Sequence, residues 1–149
     1  MLKLLFVCHG NICRSVAAEF ICNDLIKNNH LENKFYVESR ATSLEEIGNE
    51  IYPPMREVLE KHNVNIDRHY STQITRVDYE RFDYIFVMDD NNMHNIMRNV
   101  IEDDEHKIFM ITKFADMPGF IEDPWYTGRY EKVYNQLNEA IQKILEKLG

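Results

Sequence analysis

Leu4-Leu5-Phe6-Val7 is an unbroken apolar run that passes directly into Cys8-His9-Gly10-Asn11-Ile12-Cys13-Arg14-Ser15 and then into a helical pattern. A short apolar run without alternation reads as a strand covered on both faces, which places it inside a parallel sheet. A parallel strand must be followed by a crossover, and here the crossover opens with a short polar loop and a helix start. The loop begins with a cysteine and closes with an arginine after five intervening residues. That spacing lets the backbone wrap one tetrahedral anion, with its N–H groups converging as in an anion nest. The helix behind it adds its own N-terminal amides and positive dipole end. Arg14 can grip two anion oxygens with its planar fork. Cys8 sits at the floor of the same field, where a thiolate is favoured, and the Ser15 hydroxyl can donate to the sulfur. Gly10 and Asn11 are the residue types that best tolerate left-handed backbone in such a turn.

The rest of the chain repeats the strand-then-helix rhythm. A strand is expected over Leu2–Val7, a helix over Val16–Lys27 capped by Ser15, and a strand over Lys34–Ser39. Arg40 to Asn49 reads as a loop, Pro53-Pro54 starts a helix with Met55, Val58 and Leu59 facing inward, and 63–71 is irregular. Thr75 with Asp78 forms a capping box on a short helix. Tyr84–Met88 is a buried strand, Asp89-Asp90-Asn91 opens a helix to Asn99, and Ile108–Ile111 is a fourth strand. Thr112–Trp125 reads as a long loop, and the last helix runs from Gly128 to Leu148 with Tyr130, Val133, Leu137, Ile141 and Ile144 on one face. This order predicts a single α/β domain: a four-stranded parallel sheet with helices on both faces, a three-layer Rossmann-like arrangement. Ligands in such sheets sit beyond the carboxyl ends of the strands, where the Cys8 loop lies.

Composition narrows the partners. A length of 149 residues suits one domain. The net charge of −8 speaks against nucleic acid, which calls for clustered cations. It does not speak against a phosphate ester, because salt screens distant surface charge over about 8 Å. The apolar N-terminal run is too short for a membrane span or a signal peptide, so a cytoplasmic location is expected, and separately a monomer. Three cysteines, Cys8, Cys13 and Cys22, fit a reducing compartment, and with no Cys-x2-Cys pair they do not make a zinc site. Taken alone, Asp123-Pro124 is either an ordinary turn or a carboxylate near the loop, with Glu122 and Asp116 as competitors. Trp125 and Tyr126 could flank an aromatic ring or pack in the core.

The stretch Cys8-His9-Gly10-Asn11-Ile12-Cys13-Arg14-Ser15 resembles the signature of the low-molecular-weight protein tyrosine phosphatases. The similarity extends to Ala41-Thr42-Ser43, Asp67 with His69, Phe82-Asp83-Tyr84, Met88-Asp89 and Asp123-Pro124-Trp125-Tyr126. The resemblance implies hydrolysis of phosphotyrosine in proteins, or of small aryl phosphates, through a phosphocysteine on Cys8, with Arg14 holding the phosphoryl oxygens, Asp123 as general acid, and neither metal nor cofactor. It also implies that Asn11, Ser39 and His69 support the loop, that His9 is a variable position, and that Cys13 can trap an oxidised Cys8; a plain packing role for Cys13 stays open. The chain departs from the family at Val16, where proline is usual, and at Glu45, where many members carry an aromatic. The segment Asp67–Gln73 is a residue shorter than in many relatives and lacks their arginine. With Trp125 and Tyr126, Glu45 lines the mouth, and a carboxylate there works against acidic phosphopeptides. Three rival readings stand beside this one. Arsenate reduction needs a relay of further cysteines, and none follows Cys22; a phosphocysteine carrier has a cysteine loop without the arginine that Arg14 supplies; a phosphate-binding module without turnover has no need to retain Cys8, Arg14 and Asp123 together.

Overall fold

Every second side chain of β1 (Leu2–Cys8) enters a different half of the core. In the computed structural model, which describes residues 1–100 and 102–149, Leu4, Phe6 and Cys8 join one buried cluster and Leu5 and Val7 the other. Burial on both sides is what an uninterrupted apolar strand demands. β1 pairs in parallel with β2 (Phe35–Ala41) on one side and β3 (Tyr84–Val87) on the other, and β4 (Ile108–Met110) extends the sheet beyond β3. The order β2-β1-β3-β4 makes β1 the strand where the chain changes direction across the sheet. In a sheet of this kind the crevice beyond that strand's carboxyl end is where ligands bind.

The helices cover both faces. α1 (Arg14–Asn28), α2 (Pro53–Lys61), α5 (Ile111–Phe114) and the long α7 (Tyr130–Leu148) contribute to the Leu4–Phe6 side. α3 (Arg76–Arg81) and α4 (Asp90–Val100) cover the Leu5–Val7 side through Tyr79, Ile96 and Val100. α6 (Pro124–Thr127) is a single turn before α7. Phe86 stacks on Phe6 at 5.7 Å and meets Phe114 edge-on at 5.1 Å, so aromatic packing runs from the sheet into α5. The single α/β domain with a four-stranded parallel sheet is thus as expected, and the capping box at Thr75 and Asp78 is formed.

Four local expectations are corrected. Ser15 does not cap α1: the helix starts at Arg14 after Cys13, with no side-chain cap, and the Ser15 hydroxyl is turned toward the Cys8 sulfur instead. β2 runs on to Ala41 because that residue finds partners in the 72–74 segment: its N–H donates to the Thr72 carbonyl at 2.7 Å and its carbonyl accepts from Ile74 N–H at 2.8 Å. β4 stops at Met110, where Ile111 begins α5, so the segment after it is not all loop. α7 begins at Tyr130 because Gly128 adopts a left-handed conformation (φ 72°) that ends α6 and resets the chain direction. No helix among the described residues is long and apolar enough to cross a membrane.

Candidate active site

The loop after β1 is built around Asn11. Its φ of 58° is left-handed, and its side chain is fully buried. Nδ2 donates to Ser15 Oγ at 2.8 Å and to Ser39 Oγ at 3.0 Å, while Oδ1 accepts from Thr72 N–H at 3.2 Å. Gly10 does not use the left-handed region; its missing side chain makes room for Glu46, whose Cγ would lie 3.3 Å from a Cβ placed there. Ser71 Oγ donates to the Gly10 carbonyl at 2.7 Å, so the short 63–73 segment clamps the loop from outside.

These contacts leave Cys8 beneath a ring of donors. Ser15 N–H points at Sγ from 3.4 Å, and Ser15 Oγ lies 3.1 Å from it. Because Asn11 fills an acceptor site of that hydroxyl, its proton is available to the sulfur. The N–H groups of His9, Gly10, Asn11, Ile12 and Cys13 make no bond to a backbone carbonyl among the described residues, which leaves them for a ligand in the hollow.

Arg14 is buried, yet its Nη1 is held at 2.7 Å by Asp89 and at 2.9 Å by the Ile121 carbonyl. Burial works against its charge, but the Cys8 sulfur and the carboxylates of Asp89 and Asp123 more than offset that and push its pKa up. Its Nη2 lies 3.6 Å from Asp123 Oδ2. Asp123 also caps α6, accepting from Trp125 N–H at 3.1 Å, so the turn and the pocket use the same carboxylate. Its two competitors are occupied elsewhere. Burial alone would raise the pKa of Glu122, but hydrogen bonds from Lys132, Thr127 and Arg129 bring it down to about 2. Asp116 pairs with Lys147 at 2.7 Å on the surface.

Cys8, Ile12, Cys13, Arg14 and Asp123 line one pocket of about 190 Å³, with His9, Gly10, Glu45 and Glu46 on one rim. Trp125 and Tyr126, 60% and 85% exposed, stand on the other rim and are not core residues. Tyr52 and Tyr130 complete that wall, with the Tyr52 ring 5.2 Å from Trp125 and 6.3 Å from Tyr130. Tyr130 lies on the inward face of α7, as its spacing predicts; half-buried at the first turn, it packs against the core and also lines the pocket. Tyr52, Glu46, Ser71 and Thr72 were missed from the sequence, where only the position of Tyr52 before the Pro53-Pro54 helix start offered a signal, and Asp89 was noted within Met88-Asp89 without a role at the site. Burial, then the charge on Cys8, pushes the Cys13 thiol up, so it stays protonated against the core.

Behind the loop, Ser39 Oγ donates to Glu19 Oε1 at 2.7 Å and lies 3.0 Å from His69 Nε2. Since Ser39 has one proton, given to Glu19, His69 donates through Nε2. Its Nδ1 is buried without a partner, and burial, helped by Arg40, lowers its pKa, both of which favour the neutral ring. Glu19 is pushed up to about 7, chiefly by burial. Among the described residues no three His, Cys, Asp or Glu side chains are grouped to hold a metal ion.

The geometry can be set beside known proteins. The sequence profile of the low molecular weight phosphotyrosine protein phosphatases matches residues 3–149. The Gallus gallus low molecular weight phosphotyrosine protein phosphatase is 36% identical over 97% of this chain and 94% of its own. The crystal structure of YfkJ from Bacillus subtilis has a TM-score of 0.93 at 30% identity, covering 99% of this chain and 94% of that one. SP-PTP, a low molecular weight protein tyrosine phosphatase from Streptococcus pyogenes, has a TM-score of 0.90 at 35% identity, covering 100% and 94%. Both the profile and the relatives run from one end of the fold to the other and include the loop built on Asn11; the chain belongs to the low molecular weight phosphotyrosine protein phosphatase family and is a protein-tyrosine phosphatase of that class.

Proposed function

We propose that the chain hydrolyses phosphotyrosine and aryl phosphate esters through a phosphocysteine on Cys8. The observation that carries this reading is convergence: Cys8, Arg14 and Asp123, from the two ends of one loop and from a turn far along the chain, line one pocket. The phosphoryl group sits on the free loop amides, with Arg14 holding two of its oxygens. Cys8 Sγ attacks phosphorus in line and the bond to the ester oxygen breaks. Asp123 gives its proton to that leaving oxygen. Water then attacks the thiophosphate, Asp123 takes a proton from it, and the S–P bond breaks to return the thiolate and free phosphate. Donors fixed before the reaction stabilise the charge as it redistributes, and that electrostatic contribution is the largest. The pocket walls favour a ring: Ile12, Tyr52, Trp125 and Tyr130 all line it.

The rival activities find less support. Cys22 is wholly buried among apolar residues of α1, and no further thiol leads away from the loop as a reductase relay requires. A carrier loop has no need of a guanidinium, whereas Arg14 is held by three groups.

Ser39, His69 and Glu19 act as support for Asn11. Glu19 is the titratable member. Its folded pKa of about 7 lies above the ordinary 4.5, so the folded state holds that proton more tightly. Its contribution to stability is full at low pH and is lost as pH rises from 4.5 through 7.

Three outcomes follow. An aryl phosphate is hydrolysed in the presence of a chelator, and turnover is abolished by vanadate or by Cys8→Ser; activity that survives Cys8→Ser overturns the reading. Asp123→Ala lowers kcat/KM by about 10²-fold for esters with poor leaving groups and far less for good ones; equal losses reject Asp123 as the acid. In urea unfolding, the stability of the wild type relative to Glu19→Gln falls by about 2–3 kcal/mol between about pH 5 and about pH 8; a pH-independent difference shows that Glu19 does not titrate in that window.

A further inference from the structure

The two rims of the pocket differ in charge, and the charged rim is tied to the phosphate loop. Ser43 donates to the His9 carbonyl twice, through its N–H at 3.1 Å and its hydroxyl at 2.9 Å. Glu45 N–H then donates to Ser43 Oγ at 3.3 Å, and the Glu45 carboxylate meets His9 Nε2 at 2.9 Å. Glu45 is therefore fixed over the residue that follows the nucleophile, with its side chain 70% exposed. Glu46 follows it, its stem against Gly10 and its carboxylate accepting from Asn49 Nδ2 at 2.6 Å. Across the opening stand Trp125 and Tyr126, which carry no charge. Among the described residues Arg14 is the only lysine or arginine lining the pocket, and it lies buried at the floor.

We propose that Glu45, with Glu46 beside it, is a specificity-determining residue that selects phosphotyrosyl sequences carrying lysine or arginine next to the phosphotyrosine. The inference rests on the phosphatase reading above and names its substrate class. With the phosphoryl group on the loop, the peptide must leave the pocket between the two rims. An extended chain advances about 3.3–3.6 Å per residue, so neighbours one or two positions away pass within about 8 Å of the rim, where salt does not yet screen the carboxylates. A cationic neighbour is attracted and an acidic one repelled. Because the rim is exposed to water, each pairing changes kcat/KM only a few-fold, and exchanging lysine for glutamate in the substrate changes it about tenfold.

The test uses phenyl phosphate and two phosphotyrosyl peptides of equal length, one with lysine and one with glutamate on both sides of the phosphotyrosine. The wild type prefers the lysine peptide about tenfold at low salt, and the preference shrinks toward unity at about 0.5 M salt. In the Glu45→Gln/Glu46→Gln variant the low-salt ratio itself falls to within about twofold of unity. A wild-type ratio near one, or a ratio that persists in the double variant, overturns the inference while hydrolysis of phenyl phosphate leaves the phosphatase reading standing. No hydrolysis of phenyl phosphate by the wild type overturns both.

Discussion

One asparagine side chain holds the site in shape. Left-handed backbone costs a residue other than glycine about 1–2 kcal/mol. At Asn11 the three hydrogen bonds to Ser15, Ser39 and Thr72, each worth about 1 kcal/mol in net stability, offset that cost. Without that turn the Ser15 hydroxyl would not be held against the sulfur. Glycine could adopt the same backbone but would leave Ser15, Ser39 and Thr72 unlinked. Asparagine is one residue that serves both demands.

The sheet decides where this turn stands. β1 has a neighbour on each side, so its carboxyl end opens into the crevice between β2 and β3. Each neighbour then delivers a holding group. β2 brings Ser39 under the loop, and the turn beyond it brings Ser43 and Glu45 to the rim. The end of β3 brings Asp89, and Ile121, whose N–H donates to the Met88 carbonyl at 3.0 Å, offers its own carbonyl to Arg14. The guanidinium is thus held from the sheet side, and Asp89, which does not line the pocket, balances part of its charge.

Much of this was readable in the chain. β1 and its loop were legible because an apolar run, a Cys-x5-Arg spacing and a helix start leave few foldings. The capping box of Thr75 and Asp78 was legible because both partners lie within one turn. Ser15 was misread as a cap because a serine before a helical pattern has that meaning locally; only the fold shows that the hydroxyl accepts from Asn11 and faces the sulfur instead. Ile111 continues the apolar pattern of β4, so sequence could not tell where the strand gave way to α5. Asp89, Ser71 and Thr72 act through contacts 60 or more positions distant in sequence, which no local pattern records.

The account holds that a strained, pinned loop keeps one sulfur where a phosphoryl group must land, so that phosphate passes through it. The direct measurement is a denaturing quench during turnover of an aryl phosphate with a good leaving group, followed by mass spectrometry of the Cys8 peptide. Asp123→Ala is used alongside the wild type because losing the base slows the second step. The account predicts a phosphoryl group on Cys8 that builds up further in the variant. Turnover with Cys8 unmodified at every time point, or with the phosphoryl group on another residue, contradicts it.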